Sequence, residues 1–167
     1  HRVVVADLAA QRRVVSPETL GIDAVKYCRF RGCFRCSVRG ADAILEEAGK
    51  FASERIAPLH MIGDKHGTPL SDGAVTTPPG WAECYREWVE GGWNALTGSE
   101  EFGGQDLPMT MAMAATEMWN AASMAFGLAP MLTMGAIEAL EAHAADHLKQ
   151  AYLAKLISGE WTGTMNL

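Results

Sequence analysis

The sequence lacks most of the features that would place it among small secreted, nucleotide-binding or nucleic-acid-binding proteins. It has four cysteines in 167 residues, three of them (Cys28, Cys33, Cys36) in one short stretch. No disulfide framework can be built from that set, so a reducing compartment is the default. No basic segment followed by an apolar run opens the chain, so no signal peptide is read, and a cytoplasmic location is expected. Positive charge is scarce beyond residue 40, where six Lys/Arg face seventeen Asp/Glu. Such a body does not neutralise phosphates, and nucleic acid is excluded as an expected partner. Gly103-Gly104 is followed by no Lys-Ser/Thr, which excludes a nucleotide loop and leaves a tight turn needing positive φ. His143 and His147 stand four apart near Glu141 and Asp146, but no Glu follows His143 as in a zinc protease, so they read as a solvated helix end and no metal is expected. No internal repeat is found.

What is present is an apolar content of 49%, which suits one globular unit with a core of its own. Charge divides the chain in two. Residues 1–40 hold eight Lys/Arg against three acids, a net +5, and the remainder carries −11. Within the basic stretch, residues 3–5 (VVV) suggest a short strand and Ser16-Pro17-Glu18 a helix start. Residues 27–40 mix Arg, Cys, Phe and Gly without a period. Cys28-x4-Cys33-x2-Cys36 could be read as metal ligands, but structural zinc wants four and no fourth lies near. A nucleic-acid arm or translation from a foreign frame are the other readings. The abrupt end of the pattern before Asp42 fits the last, so residues 1–40 are not expected to join the fold. The chain begins with His1 and not Met, so its natural start is expected upstream.

At Asp42 a helical period sets in. Ile44, Leu45, Ala48, Phe51, Ala52 and Ile56 share one face, and Pro58 is expected to end this helix. Residues 59–78 read as a polar loop. Pro78-Pro79 precedes a second helix whose Trp81, Cys84, Tyr85, Trp88 and Val89 form an aromatic stripe, core or interface before cofactor box, stopped by Gly91-Gly92. Residues 93–107 read as a Gly-rich loop with an extended piece at 93–96. A third helix is expected over 109–123, a fourth from Phe126 or Pro130 to His143, a fifth over 148–156. Residues 118–137 carry no charge and are long enough to span a bilayer. Their Asn, Ser, Gly and Pro content and acidic flanks favour a buried helix pair, so no membrane span is expected. The methionines of this half (Met109, Met111, Met113, Met118, Met124, Met131, Met134) read as core filler. Alternating residues 160–167 (EWTGTMNL) read as the first strand of a sheet that must lie elsewhere.

Six segments in fixed order carry a resemblance: 41–51 (ADAILEEAGKF), 76–93 (TTPPGWAECYREWVEGGW), 101–108 (EFGGQDLP), 116–126 (TEMWNAASMAF), 135–140 (GAIEAL) and 159–167 (GEWTGTMNL). Together they resemble the N-terminal helical domain of the acyl-CoA dehydrogenases, and the phrase EMWNAASMAF resembles the bacterial methylmercaptopropionyl-CoA dehydrogenase-like subgroup. The resemblance implies an all-α fold, an orthogonal bundle of about five helices over 41–160, with 161–167 starting a truncated middle β domain. It implies FAD as cofactor, oxidation of the Cα–Cβ bond of an acyl-CoA thioester to the enoyl-CoA, electron-transferring flavoprotein as acceptor, a place in fatty-acid β-oxidation, and a homo-oligomeric full-length enzyme. Met165, Asn166 and Leu167 are the implied flavin contacts, and Gly127, Met131 and Met134 the implied acyl-pocket residues. The catalytic carboxylate of the family comes from its C-terminal half. No Glu here is nominated as the base, and the 167 residues alone are expected to be inactive. The alternative is a stand-alone helical interaction module with an exposed apolar face.

Overall fold

In the computed structural model, residues 38–164 are described. The expectations for residues 3–5, for Ser16-Pro17-Glu18, for the three-cysteine stretch and for Met165, Asn166 and Leu167 fall outside them. The helical period expected from Asp42 begins at Val38, so α1 (Val38–Phe51) starts inside the segment expected to be foreign. Ala41, Leu45 and Ala48 are fully buried along its inner face.

Pro58 does not end this helix. A π turn (Ala52–Ile56) follows α1, and α2 (Ala57–His66) continues the rod with Pro58 in its first turn. The physical reason lies in the widened turn. In a regular α-helix the proline ring would press on the carbonyl four residues back and leave one hydrogen bond unmade. Here Ala57 N–H reaches five residues back to Ala52 O, and the bulge accommodates the ring. The guanidinium of Arg55, within the π turn, donates through both Nε and Nη2 to the Glu87 carboxylate.

The expected polar loop therefore starts later, at Gly67, and contains a two-residue hairpin. β1 (Leu70–Ser71) pairs antiparallel with β2 (Ala74–Val75), Leu70 opposite Val75. Asp72 (φ 52) and Gly73 (φ 77) make the turn in the left-handed region that suits a tight hairpin. α3 (Trp81–Glu90) then buries Cys84 and Trp88, with Trp81, Tyr85 and Val89 partly buried beside them. Gly91 N–H closes the helix on Glu87 O.

The expected extended piece at 93–96 is instead a 3-10 turn (Trp93–Ala95), because Gly92 enters it at φ 70 and Ala95 N–H bonds back to Gly92 O. The rest of the Gly-rich loop folds onto itself: Gln105 N–H reaches Ala95 O and Leu107 N–H reaches Leu96 O. Gly103 takes φ 87, as expected of a tight turn.

α4 (Met109–His143) merges the expected third and fourth helices, but Ser123 inside it is extended (φ −161, ψ 103), so residues 109–122 and 124–143 form two limbs. By length and composition α4 could cross a membrane; twelve of its residues, Ser123 and Thr133 among them, are buried within the fold. α5 (Asp146–Ser158) ends on Gly159 (φ 80). The architecture is all-α apart from the small hairpin.

Two clusters make the core. The larger joins α1, the π turn, α2, α3 and the first limb of α4. The smaller gathers Ala95, Ile137, Leu153, Leu156 and Ile157 where the second limb meets α5. Asn94 Nδ2 donates to Leu156 O and Tyr85 Oη to Gly159 O, tying α3 and its loop to α5. Residues 161–164 form no strand, since no described strand lies beside them to complete a ladder. They are held from within: Lys155 Nζ sits 4.3 Å over the Trp161 ring, and Gly163 N–H donates to Thr133 Oγ1 at 3.1 Å.

Candidate functional site

The richest concentration of chemistry-bearing side chains lies where α3 crosses α4. The i, i+4 spacing of Cys84 and Trp88 turns both inward, and Trp88 becomes the hub of a ring cluster. Its ring centroid lies 4.2 Å from Trp119, 5.7 Å from Phe126 and 5.9 Å from Phe51, each in the edge-to-face arrangement that aromatic quadrupoles favour. Trp119 is fixed from the other side, its Nε1 donating to Ala48 O of α1 at 3.2 Å.

Below these rings is a cavity of about 10 Å³, room for a single water-sized atom. Trp88 and Trp119 form one wall, Thr116 and Asn120 of the first limb a second, and Gly127, Pro130, Met131 and Met134 of the second limb the third. The break at Ser123 lets one helix supply two of these walls. Gly127 is needed there as a residue without a side chain: a Cβ would collide with Asn120 Oδ1.

The three residues nominated for an acyl pocket, Gly127, Met131 and Met134, are thus brought together on one cavity. Met165, Asn166 and Leu167 lie outside the described residues. Trp88, Thr116, Trp119, Asn120 and Pro130 were not nominated, although Thr116, Trp119 and Asn120 at i, i+3, i+4 carried the signal of a shared helical face. No Asp, Glu, Lys or Arg lines the cavity, so nothing there can act as an acid or base. Burial pushes the Cys84 thiol up to about 11, with the Glu87 carboxylate adding to the effect and Arg55 opposing it. It is therefore not a nucleophile at neutral pH.

The methionines do not behave as a core series. Met111 and Met118 are buried, whereas Met109, Met113, Met124 and Met131 are 40% exposed or more. Met124, Leu128 and Met131 follow at i, i+4, i+7 along the outer side of the second limb. His143 ends α4 and His147 lies in the first turn of α5, so they do not share a helix. Among the described residues no group of ligands could hold a metal ion.

The family model described as "Acyl-CoA dehydrogenase, N-terminal domain" matches residues 40–160. The chain is 50% identical over 127 residues to a 3-methylmercaptopropionyl-CoA dehydrogenase of Ruegeria pomeroyi, an overlap covering 76% of this chain and 22% of that protein. It is 30% identical over 129 residues to a butyryl-CoA dehydrogenase of Syntrophomonas wolfei, covering 75% and 21%. The chain thus spans about a fifth of the length of the curated relatives it matches.

Proposed function

The chain belongs to the acyl-CoA dehydrogenase family through its N-terminal domain, and from that premise we propose that it serves the FAD-dependent oxidation of the Cα–Cβ bond of a short acyl-CoA to the enoyl-CoA, with the cavity between α3 and α4 marking the far end of the acyl site. The observation that carries the reading is the convergence of Gly127, Met131 and Met134 on one uncharged cavity beneath Trp88 and Trp119. An apolar tail is compatible with those walls. At about 10 Å³ the space admits a tail only when the unbranched Met131 and Met134 side chains swing aside, which three rotatable bonds each allow. The short acyl groups in the names of both relatives agree with that size.

The cavity between α3 and α4 does not fit a flavin, being far too small for an isoalloxazine ring and lined by no acid or base. No step of the reaction is therefore derived through the cofactor. The contacts assigned to Met165, Asn166 and Leu167, transfer of electrons to an electron-transferring flavoprotein, a homo-oligomeric enzyme, a role in β-oxidation and a cytoplasmic site of action belong to the same proposal. They rest on the family.

The test is turnover by the polypeptide expressed from its intact gene. With an artificial electron acceptor, short acyl-CoA thioesters are expected to be oxidised by a yellow, flavin-containing protein, with rates falling as the chain lengthens. Absence of turnover with every acyl-CoA in the series would overturn the reading. It would leave the second one, a helical interaction module, which the exposed Met124, Leu128 and Met131 favour.

A further inference from the structure

α4 is one rod by connectivity and two bodies by bonding. At Ser123 the backbone is extended, so the hydrogen-bond ladder of the first limb does not run on into the second. Nor is the break bridged by its own side chain: Ser123 is buried, and its hydroxyl makes no hydrogen bond among the described residues. Two turns further on, Pro130 offers no N–H to the carbonyl four residues back. The start of the second limb is therefore short of backbone bonds, and its outer side, at Met124, Leu128 and Met131, is exposed. Hinges are a few residues at the ends of elements that absorb a change in φ and ψ, and Ser123 has that position.

The far end of the limb is better held. Ile137 is buried in the aliphatic cluster with Leu153 and Ile157 of α5. Residues 159–164 add a strap fixed to three helices. Gly159 lies so close to α3 that a Cβ would meet Val89 Cγ2 at 2.6 Å, and its carbonyl accepts Tyr85 Oη at 3.2 Å. Trp161 N–H donates to Lys155 O of α5 at 3.0 Å, and its ring lies beneath Lys155 Nζ and beside Tyr152. Gly163 ends on α4, where its N–H donates to Thr133 Oγ1 and a Cβ would lie 2.7 Å from Ala136 Cβ. Thr133 is fully buried, and its hydroxyl donates to Ala129 O at 3.0 Å. The strap thus grips the limb about one turn nearer the break than Ile137 does.

We infer that the Thr133–Gly163 hydrogen bond is a latch: it holds the second limb of α4 closed on the ring cluster, and its release lets residues 124–132 swing about Ser123. That span carries Gly127, Pro130 and Met131, so the swing moves one wall of the cavity while Trp88 and Trp119 stay with the larger core. The latch needs the cavity and no particular occupant, so it stands or falls independently of the function proposed above.

The experiment is native-state amide hydrogen exchange on the polypeptide expressed from its intact gene, which reads local opening segment by segment. Thr133→Val keeps the shape and removes the hydroxyl. It is expected to speed exchange over residues 128–132 by about fivefold to tenfold, the scale of one lost hydrogen bond. Exchange in α1 and α3 is expected to stay unchanged, and Thr133→Ser, which keeps the hydroxyl, to restore protection. Gly163→Ala should reproduce the Thr133→Val pattern by forcing the strap off Ala136. A merely structural role would speed exchange in every helix alike, and that result overturns the inference. So does a Thr133→Val protein whose second limb exchanges as before. Should both variants fail to fold, the unsubstituted protein decides: residues 128–132 are expected to exchange faster than residues 134–140, and equal protection along the limb overturns the latch.

Discussion

The cluster around Trp88 and the cluster around Leu153 sit at opposite ends of α4 and are packed differently. The first is rich in aromatic rings, with four of its ring contacts made by Trp88 or Trp119. Rigid rings meeting edge to face do not interdigitate fully, and a cavity remains among them. The second is aliphatic and closes tightly: a Cβ added at Gly98 would lie 2.8 Å from Ile157 Cδ1. The same helix thus has a cavity beside its ring cluster and a close contact at Gly98 beside its aliphatic one. The lesson is that rigid rings meeting edge to face leave a space among them where branched aliphatics close on their neighbours.

That contrast can be broken at its strongest point first. Trp88→Ala removes the hub of the ring cluster and is expected to destabilise the protein by about 3–5 kcal/mol, read from the midpoint of denaturant unfolding. Leu153→Ala, at the fully buried centre of the aliphatic corner, is expected to cost about 3 kcal/mol by the same measurement. If Trp88→Ala cost less than Leu153→Ala, the ring cluster would contribute less to stability than the aliphatic corner, and its role as the hub of the larger core would fail.

Cys84 sharpens the comparison through pH. Its folded thiol is raised to about 11 from an ordinary 9.0 by burial, so above pH 9 the unfolded state loses its proton first. Fewer protons bound to the unfolded state means stability falls as pH rises. The contribution is whole below pH 9 and is lost as pH climbs through 11, whereas Cys84→Ala should show a flatter alkaline limb in a pH series of melting temperatures. Alkylating reagent at pH 8 should leave the native thiol unmodified. The smallest effect expected is at the Arg55–Glu87 pair, both partly exposed (47% and 38%), where a double-mutant cycle should return at most about 1 kcal/mol, shrinking with added salt.

Much of the helical frame was legible because it rests on period and punctuation. The stripe of Leu45, Ala48, Ala52 and Ile56, the stripe of Cys84 and Trp88, and the stops at Gly91 and Gly159 all follow local rules. The misreadings arose where a local rule was overridden by something beyond it. Pro58 was read as a stop because a π turn leaves no separate mark in the sequence. The methionines were read as core because an apolar residue on α4 gives no sign of which side faces a neighbour. The strand expected over 160–167 lies partly outside the described residues, and its alternation alone cannot supply a partner. The candidate site was half legible. Gly127, Met131 and Met134 came from resemblance, but Trp88 reaches their cavity across the chain, and a contact between α3 and α4 is invisible to any window along the sequence.

The π turn at Ala52–Ile56 also fixes an order on the history of this helix. It stores one extra residue. Deleting that residue would restore the regular repeat with α2 facing as it does now, while setting the Pro58 ring against a carbonyl once more. Replacing the proline first, by contrast, harms nothing that the bulge does not already accommodate. A lineage can therefore shed the proline and then the bulge, but not the bulge and then the proline, and any relative that keeps Pro58 in a continuous helix is expected to keep the extra residue with it.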